Sequence, residues 1–140
     1  MDPLQSLRAR IGGFPGYGDD LSRRRSDSYV RSYLGEALAS LDARLGDLEP
    51  ALQQRVDDLL LRVGFADSRS FTMHNGLAER AETKNDPADV LAREDDAIVD
   101  LADRAKAVDA AALAQYLNDV TASLDRREAA MRAAAHPTMP

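Results

Sequence analysis

Between Asp20 and Leu45 the apolar side chains Val30, Tyr33, Leu34, Ala37, Leu38, Leu41 and Leu45 recur three and four positions apart, with polar residues between them. That period lines one face of a helix and predicts a first long helix, closed by Gly46. Asp47 then offers an N-cap, and Leu48, Leu52, Val56, Leu59, Leu60 and Val63 continue the period to Gly64, predicting a second helix. The link between the two is so short that they should form an antiparallel hairpin.

The dipeptide Asp86-Pro87 reads as a third start, an N-cap followed by a proline whose missing N–H costs nothing at the first helical position. Leu91, Ile98, Leu101, Ala105 and Val108 carry this helix forward. At Asp109 the start signals return, with Val108 and Leu113 spaced for a hydrophobic staple; Leu113, Tyr116, Leu117, Val120, Leu124 and Met131 then predict a fourth helix. No glycine separates helices three and four, so one kinked helix is the alternative. The expected fold is all-α: a four-helix, mostly antiparallel bundle. Residues 1–18 are read as an N-terminal arm and glycine-rich turn, 19–135 as the helical domain with a long irregular loop over 64–86, and 136–140 as a flexible tail.

Composition narrows the chemistry. The 140 residues include no cysteine, which removes disulfides, thiolate metal sites and cysteine nucleophiles. A net charge of −6 argues against nucleic acid as a partner, since phosphate backbones are gripped by clustered Lys and Arg. No secretory signal or long apolar run is present, so the expected location is the cytoplasm. Charge is unevenly spread: residues 1–34 hold six Arg against four Asp, and residues 86–125 hold ten acids against three bases.

The stretch GGFPGYGDD invites a phosphate-loop reading, but no Lys-Ser or Lys-Thr follows, and Asp19 and Asp20 sit where an incoming phosphate needs bare N–H groups. The glycines instead serve a reversal, with Asp19 or Asp20 as helix cap and Phe14 and Tyr17 anchoring the turn on the core. Arg23-Arg24-Arg25 follows; Asp27 lies four residues from both Arg23 and Arg31, spaced for an Arg-Asp-Arg ladder along a solvated face. Arg24 and Arg25 have no acidic partner in the same helix.

The spacing Gly16-Tyr17, Arg23-Arg24, Asp27, Arg31, Leu34 resembles the N-terminal pattern of a group of uncharacterised bacterial all-helical proteins. The resemblance covers about residues 16–41, implies a helical fold and transfers no catalytic residue.

The strongest chemical candidate is Asp96, Asp100 and Asp103, spaced on a helix so that three carboxylates share one face, where oxygen ligands would suit Mg²⁺. Together with Glu79 and Glu82 they imitate the carboxylate pairs of all-helical nucleotide pyrophosphohydrolases, although Glu79 and Glu82 lie in the expected loop and Asp100 stands where that pattern has glutamate. The competing reading puts these acids on the wet side of the helix. The two histidines, His74 and His136, belong to no metal-binding or catalytic spacing.

Two functions follow as expectations. The first is a non-enzymatic protein-interaction module without cofactor, binding a protein partner through Phe14, Tyr17, Arg24, Arg25, Phe71 and His74. The second is a Mg²⁺-dependent pyrophosphohydrolase-like enzyme using Asp96, Asp100, Asp103, Glu79 and Glu82. Peripheral membrane contact through the amphipathic arm and self-association are further readings.

Overall fold

The computed structural model describes residues 2–64 and 87–135. Within them the chain is all-helical, with no strand and five α-helices: α1 (Pro3–Arg10), α2 (Asp20–Leu45), α3 (Pro50–Gly64), α4 (Pro87–Arg104) and α5 (Leu113–Ala135). No helix among the described residues is long and apolar enough to cross a membrane.

The first difference from the sequence reading is α1. The expected arm is a helix in its own right, started by Asp2, whose side chain accepts from Gln5 N at 2.8 Å, with Pro3 at the first helical position. The signal is the same Asp-Pro dipeptide that the sequence carries at residues 86–87, and the described helix α4 begins at Pro87. Leu7 is wholly buried and Ile11 and Phe14 nearly so, and α1 packs on α4. Burying a leucine this completely stabilises the fold by about 2 kcal/mol, enough to hold a two-turn helix that would not persist alone.

The chain then reverses. Gly16 carries a φ of +87°, a left-handed value, and an added Cβ would meet Arg8 Nη2 at 3.1 Å. Arg8 donates to the Phe14 and Pro15 carbonyls, both at 3.3 Å, which ties the turn down on α1. Asp19 caps α2 by accepting from Ser22 N at 2.7 Å, and that backbone N–H holds its carboxyl below the usual range. Val30, Leu34, Leu38 and Leu41 form the buried stripe of α2, as the period predicts.

Gly46, at φ +70°, ends α2, and its N–H bonds the Asp42 carbonyl at 3.2 Å. The next helix starts at Pro50, three residues past the expected cap at Asp47, because proline fits the first helical position and the Glu49 carbonyl accepts from Gln53 N at 2.9 Å. Helices α2 and α3 pack together, α2 also packs on α4, and α5 packs chiefly on α4 and more lightly on α3.

Helices α4 and α5 are separate. A 3-10 turn at Ala105–Ala107 closes α4, and Asp109 Oδ1 accepts from Ala112 N at 2.9 Å just ahead of α5. Arg44, in the last turn of α2, donates to the Ala105 and Val108 carbonyls at 2.9 and 2.7 Å, satisfying acceptors that a helix end leaves bare. Residues 65–86 and 136–140, with Phe71, His74, Glu79, Glu82 and His136, lie outside the described residues.

Candidate functional site

Three charged side chains stand on the apolar stripes of three different helices. Asp27 stands at the head of the Val30-Leu34-Leu38 stripe of α2, Asp95 sits between Leu91 and Ile98 on α4, and Arg127 between Leu124 and Met131 on α5. Packing those stripes together brings the charges together. Arg127 Nη1 lies 2.7 Å from Asp27 Oδ1, and its Nε donates to Asp95 Oδ1. Arg31 Nε donates to the other oxygen of Asp27 at 2.8 Å, and the Tyr17 hydroxyl donates to Asp95 Oδ2 at 2.5 Å.

Two carboxylates thus face two guanidiniums, with a neutral tyrosine closing the end. This balance is what permits the burial, because an unpaired ion removed from water costs several kcal/mol. Burial pushes Tyr17 well above the ordinary tyrosine value, and Asp95 adds to the rise. Asp95 also moves upward, driven by burial against the pull of Arg127 and Tyr17. For Arg127 burial works against the cation, but Asp95 and Asp27 outweigh it and raise its pKa.

With Asp95 at 0% exposure and Asp27 at 2%, no solute reaches either carboxylate. The network pins α2, α4, α5 and the Tyr17 turn in one register, a structural task. Arg127 Nη2 and Ser123 Oγ, one helical turn apart on α5, are buried beside it and make no hydrogen bond.

The expected ladder is therefore half realised and lies inside. Arg31 pairs with Asp27 as the spacing predicts, but the solvated face does not exist there. Arg23 is buried, pairs with Asp20 and donates to the Tyr17 carbonyl at 3.3 Å.

The acidic triad is joined, but to a protein cation. Arg10, from the end of α1, pairs with Asp96, reaches Asp100 Oδ1 at 2.5 Å and Asp103 Oδ2 at 3.2 Å, and is steadied by Ser6 Oγ at 2.9 Å. Tyr33 of α2 donates to the remaining oxygen of Asp103 at 2.5 Å. The three carboxylates lie on the solvent side of α4, as the competing reading has them, but they are bound to Arg10 and clasp α1 to α4. Among the described residues no cluster of His, Asp and Glu is arranged to hold a metal.

Phe14 and Tyr17, expected on a partner-binding edge, are core residues, with ring centroids 5.8 Å apart in an edge-to-face pair. Their apolar surface holds the α1–α2 turn on the bundle of helices, because burying an aromatic ring gains more than exposing it. Leu7 and Ile11 of the arm point inward too, with Leu4 partly buried against the same core.

Arg24 and Arg25 remain outside. Both are exposed and neither closes a hydrogen bond or an ion pair among the described residues; Arg25 only helps to lower Asp19. Leu21 and Tyr29, one turn to either side, are 57% and 42% exposed. Leu21, Arg24, Arg25, Ser28 and Tyr29 follow helical spacing and share the outward side of α2. This stripe runs into an open groove of about 330 Å³ between α2 and the end of α3, lined by Ser28, Ser32, Gly35, Leu60 and Val63. A second groove, of about 380 Å³, lies on the other flank of α2 between Tyr33, Ala37, Arg44, Ala102 and Lys106.

Sequence reasoning missed Asp95 and Arg127 as a pair. Their signal was a charge standing at a stripe position, three or four residues after one apolar residue and four or three before the next. The chain matches no protein-family model, no curated protein and no solved structure.

Proposed function

We propose that this protein is a non-enzymatic interaction module, a mostly antiparallel four-helix bundle of α2 to α5 with α1 clasped to it, that binds an acidic protein surface through the outward side of α2. The observation that carries the reading is the division of charge. Asp27, Asp95 and Arg127 are sealed in the core, and Asp96, Asp100 and Asp103 are held by Arg10. Arg24 and Arg25 are left outward, beside two exposed large apolar side chains.

Cations flanked by a leucine and a tyrosine suit a protein interface, where aromatic and arginine side chains supply most of the binding energy. The pyrophosphohydrolase reading needs the triad free for Mg²⁺, and no observation favours it.

Affinity capture with the intact chain and with Arg24→Ala/Arg25→Ala tests the proposal. Loss of bound proteins in the double variant, at unchanged melting temperature, supports it. Identical bound proteins remove the basic face from consideration.

A further inference from the structure

The outward side of α3 is the counterpart of the outward side of α2. Gln54, Asp57, Asp58 and Leu61 share it; Asp57 and Asp58 are exposed and, among the described residues, are met only by the Gln53 and Gln54 amides, at 3.0 and 2.8 Å. Leu61 is 56% exposed. The cations of α3 are turned away: Arg55 donates to Asn118 at 2.6 Å, and Arg62 pairs with Asp125 at 2.8 Å and with Glu128. Among the described residues, one stripe therefore carries two unpaired arginines between exposed apolar residues, and the other carries two aspartates without a cation beside an exposed leucine.

At 1.5 Å per residue the stripes are about 12 Å (residues 21–29) and about 10 Å (54–61) long, close enough to lie against one another. Leu21, Tyr29 and Leu61 are the exposed large apolar side chains of the described residues, and all three fall on these two stripes.

We infer that the partner for the outward side of α2 is a second copy of this chain, presenting the Asp57-Asp58-Leu61 side of its α3. The inference rests on the interaction reading above and names its occupant. In a two-fold dimer the contact occurs twice, since α2 of each protomer meets α3 of its partner, so both charge matches and all three apolar residues are used in each copy. Opposite charge at the rim makes the association fall with salt.

Sedimentation velocity on the full chain at low salt, over rising concentration, reads this directly. The wild type should dimerise, and more weakly at high salt. Arg24→Glu/Arg25→Glu and Asp57→Arg/Asp58→Arg should each weaken dimerisation about tenfold or more. Mixing the two variants should restore it, because the mixed dimer matches opposite charges at both contacts; that recovery also shows that both variants fold.

A wild type that stays monomeric, a dimer indifferent to both reversals, or a mixture that fails to recover overturns the inference. A monomeric wild type whose bound proteins are lost in Arg24→Ala/Arg25→Ala removes the second copy and keeps the interaction module. A monomer whose bound proteins are unchanged removes both.

Discussion

Arg127 on α5 holds Asp27 on α2 at 2.7 Å in a place where the two side chains are only 5% and 3% exposed. Nothing but protein is available to solvate either ion. Replacing Arg127 with methionine leaves two carboxylates buried beside one remaining guanidinium, which should cost about 3–5 kcal/mol, a large share of a small domain's stability. Asp95→Asn removes one of those charges and keeps the shape, so it should cost less. Chemical denaturation of both variants and of the double variant checks this. The double should be less destabilised than the sum of the singles, because the neutral amide that replaces the Asp95 carboxylate no longer needs the cation.

Arg10 is a surface version of the same device. Asp100 and Asp103 are 61% and 39% exposed, so screening discounts each contact, and Arg10→Gln should cost only about 1–2 kcal/mol, less at high salt. The loss should be local: amides of α1 should exchange faster while those of α4 and α5 keep their protection. Millimolar Mg²⁺ with a nucleoside triphosphate should leave the wild-type melting temperature where it is. A stabilising shift would return the triad to consideration as a metal site.

The tyrosines predict alkaline lability. Burial raises Tyr116 from the ordinary value of 10.0 to about 12, and raises Tyr17 further with the help of Asp95. Tyr33 rises through its hydrogen bond to Asp103. In each case the folded state keeps a proton that the unfolded chain gives up first. The stability they contribute is complete below about pH 10 and is lost as pH climbs from there toward and past the folded values. Melting temperatures recorded from pH 8 to 12 should fall above pH 10, and Tyr116→Phe should shallow that fall. An unchanged slope in the variant would contradict the assignment to Tyr116.

The helices of the fold were largely legible, and the charges were not. Periodicity located the buried stripe of α2, and proline marked the start of α4, because both are local signals. Asp2-Pro3 carried the same start signal, but the short apolar run behind it gave α1 too little period to be read as a helix. The fates of Asp96, Asp100 and Asp103 depend on Arg10, some ninety positions away in the chain, and spacing within one helix carries no trace of such a partner. Phe14 and Tyr17 beside a glycine-rich turn fit either a partner-binding edge or an anchor of that turn on the core, and period within one segment does not choose between them; here they are the anchor. By contrast, the exposure of Arg25 was foreshadowed by the lack of an acid at helical spacing, while Arg24 is left outward because Asp20 and Asp27 pair with Arg23, Arg31 and Arg127 instead.

The central claim is that the outward side of α2 is where this protein meets a partner. Hydroxyl-radical footprinting of the full chain, dilute and alone and then together with the partner it captures, reads that side at the two residues best placed to report it. Leu21 and Tyr29 are half-exposed in the free chain and should be oxidised there, then protected in the complex, whereas buried Tyr116 should stay protected in both. Equal oxidation of Leu21 and Tyr29 with and without the partner would contradict the account.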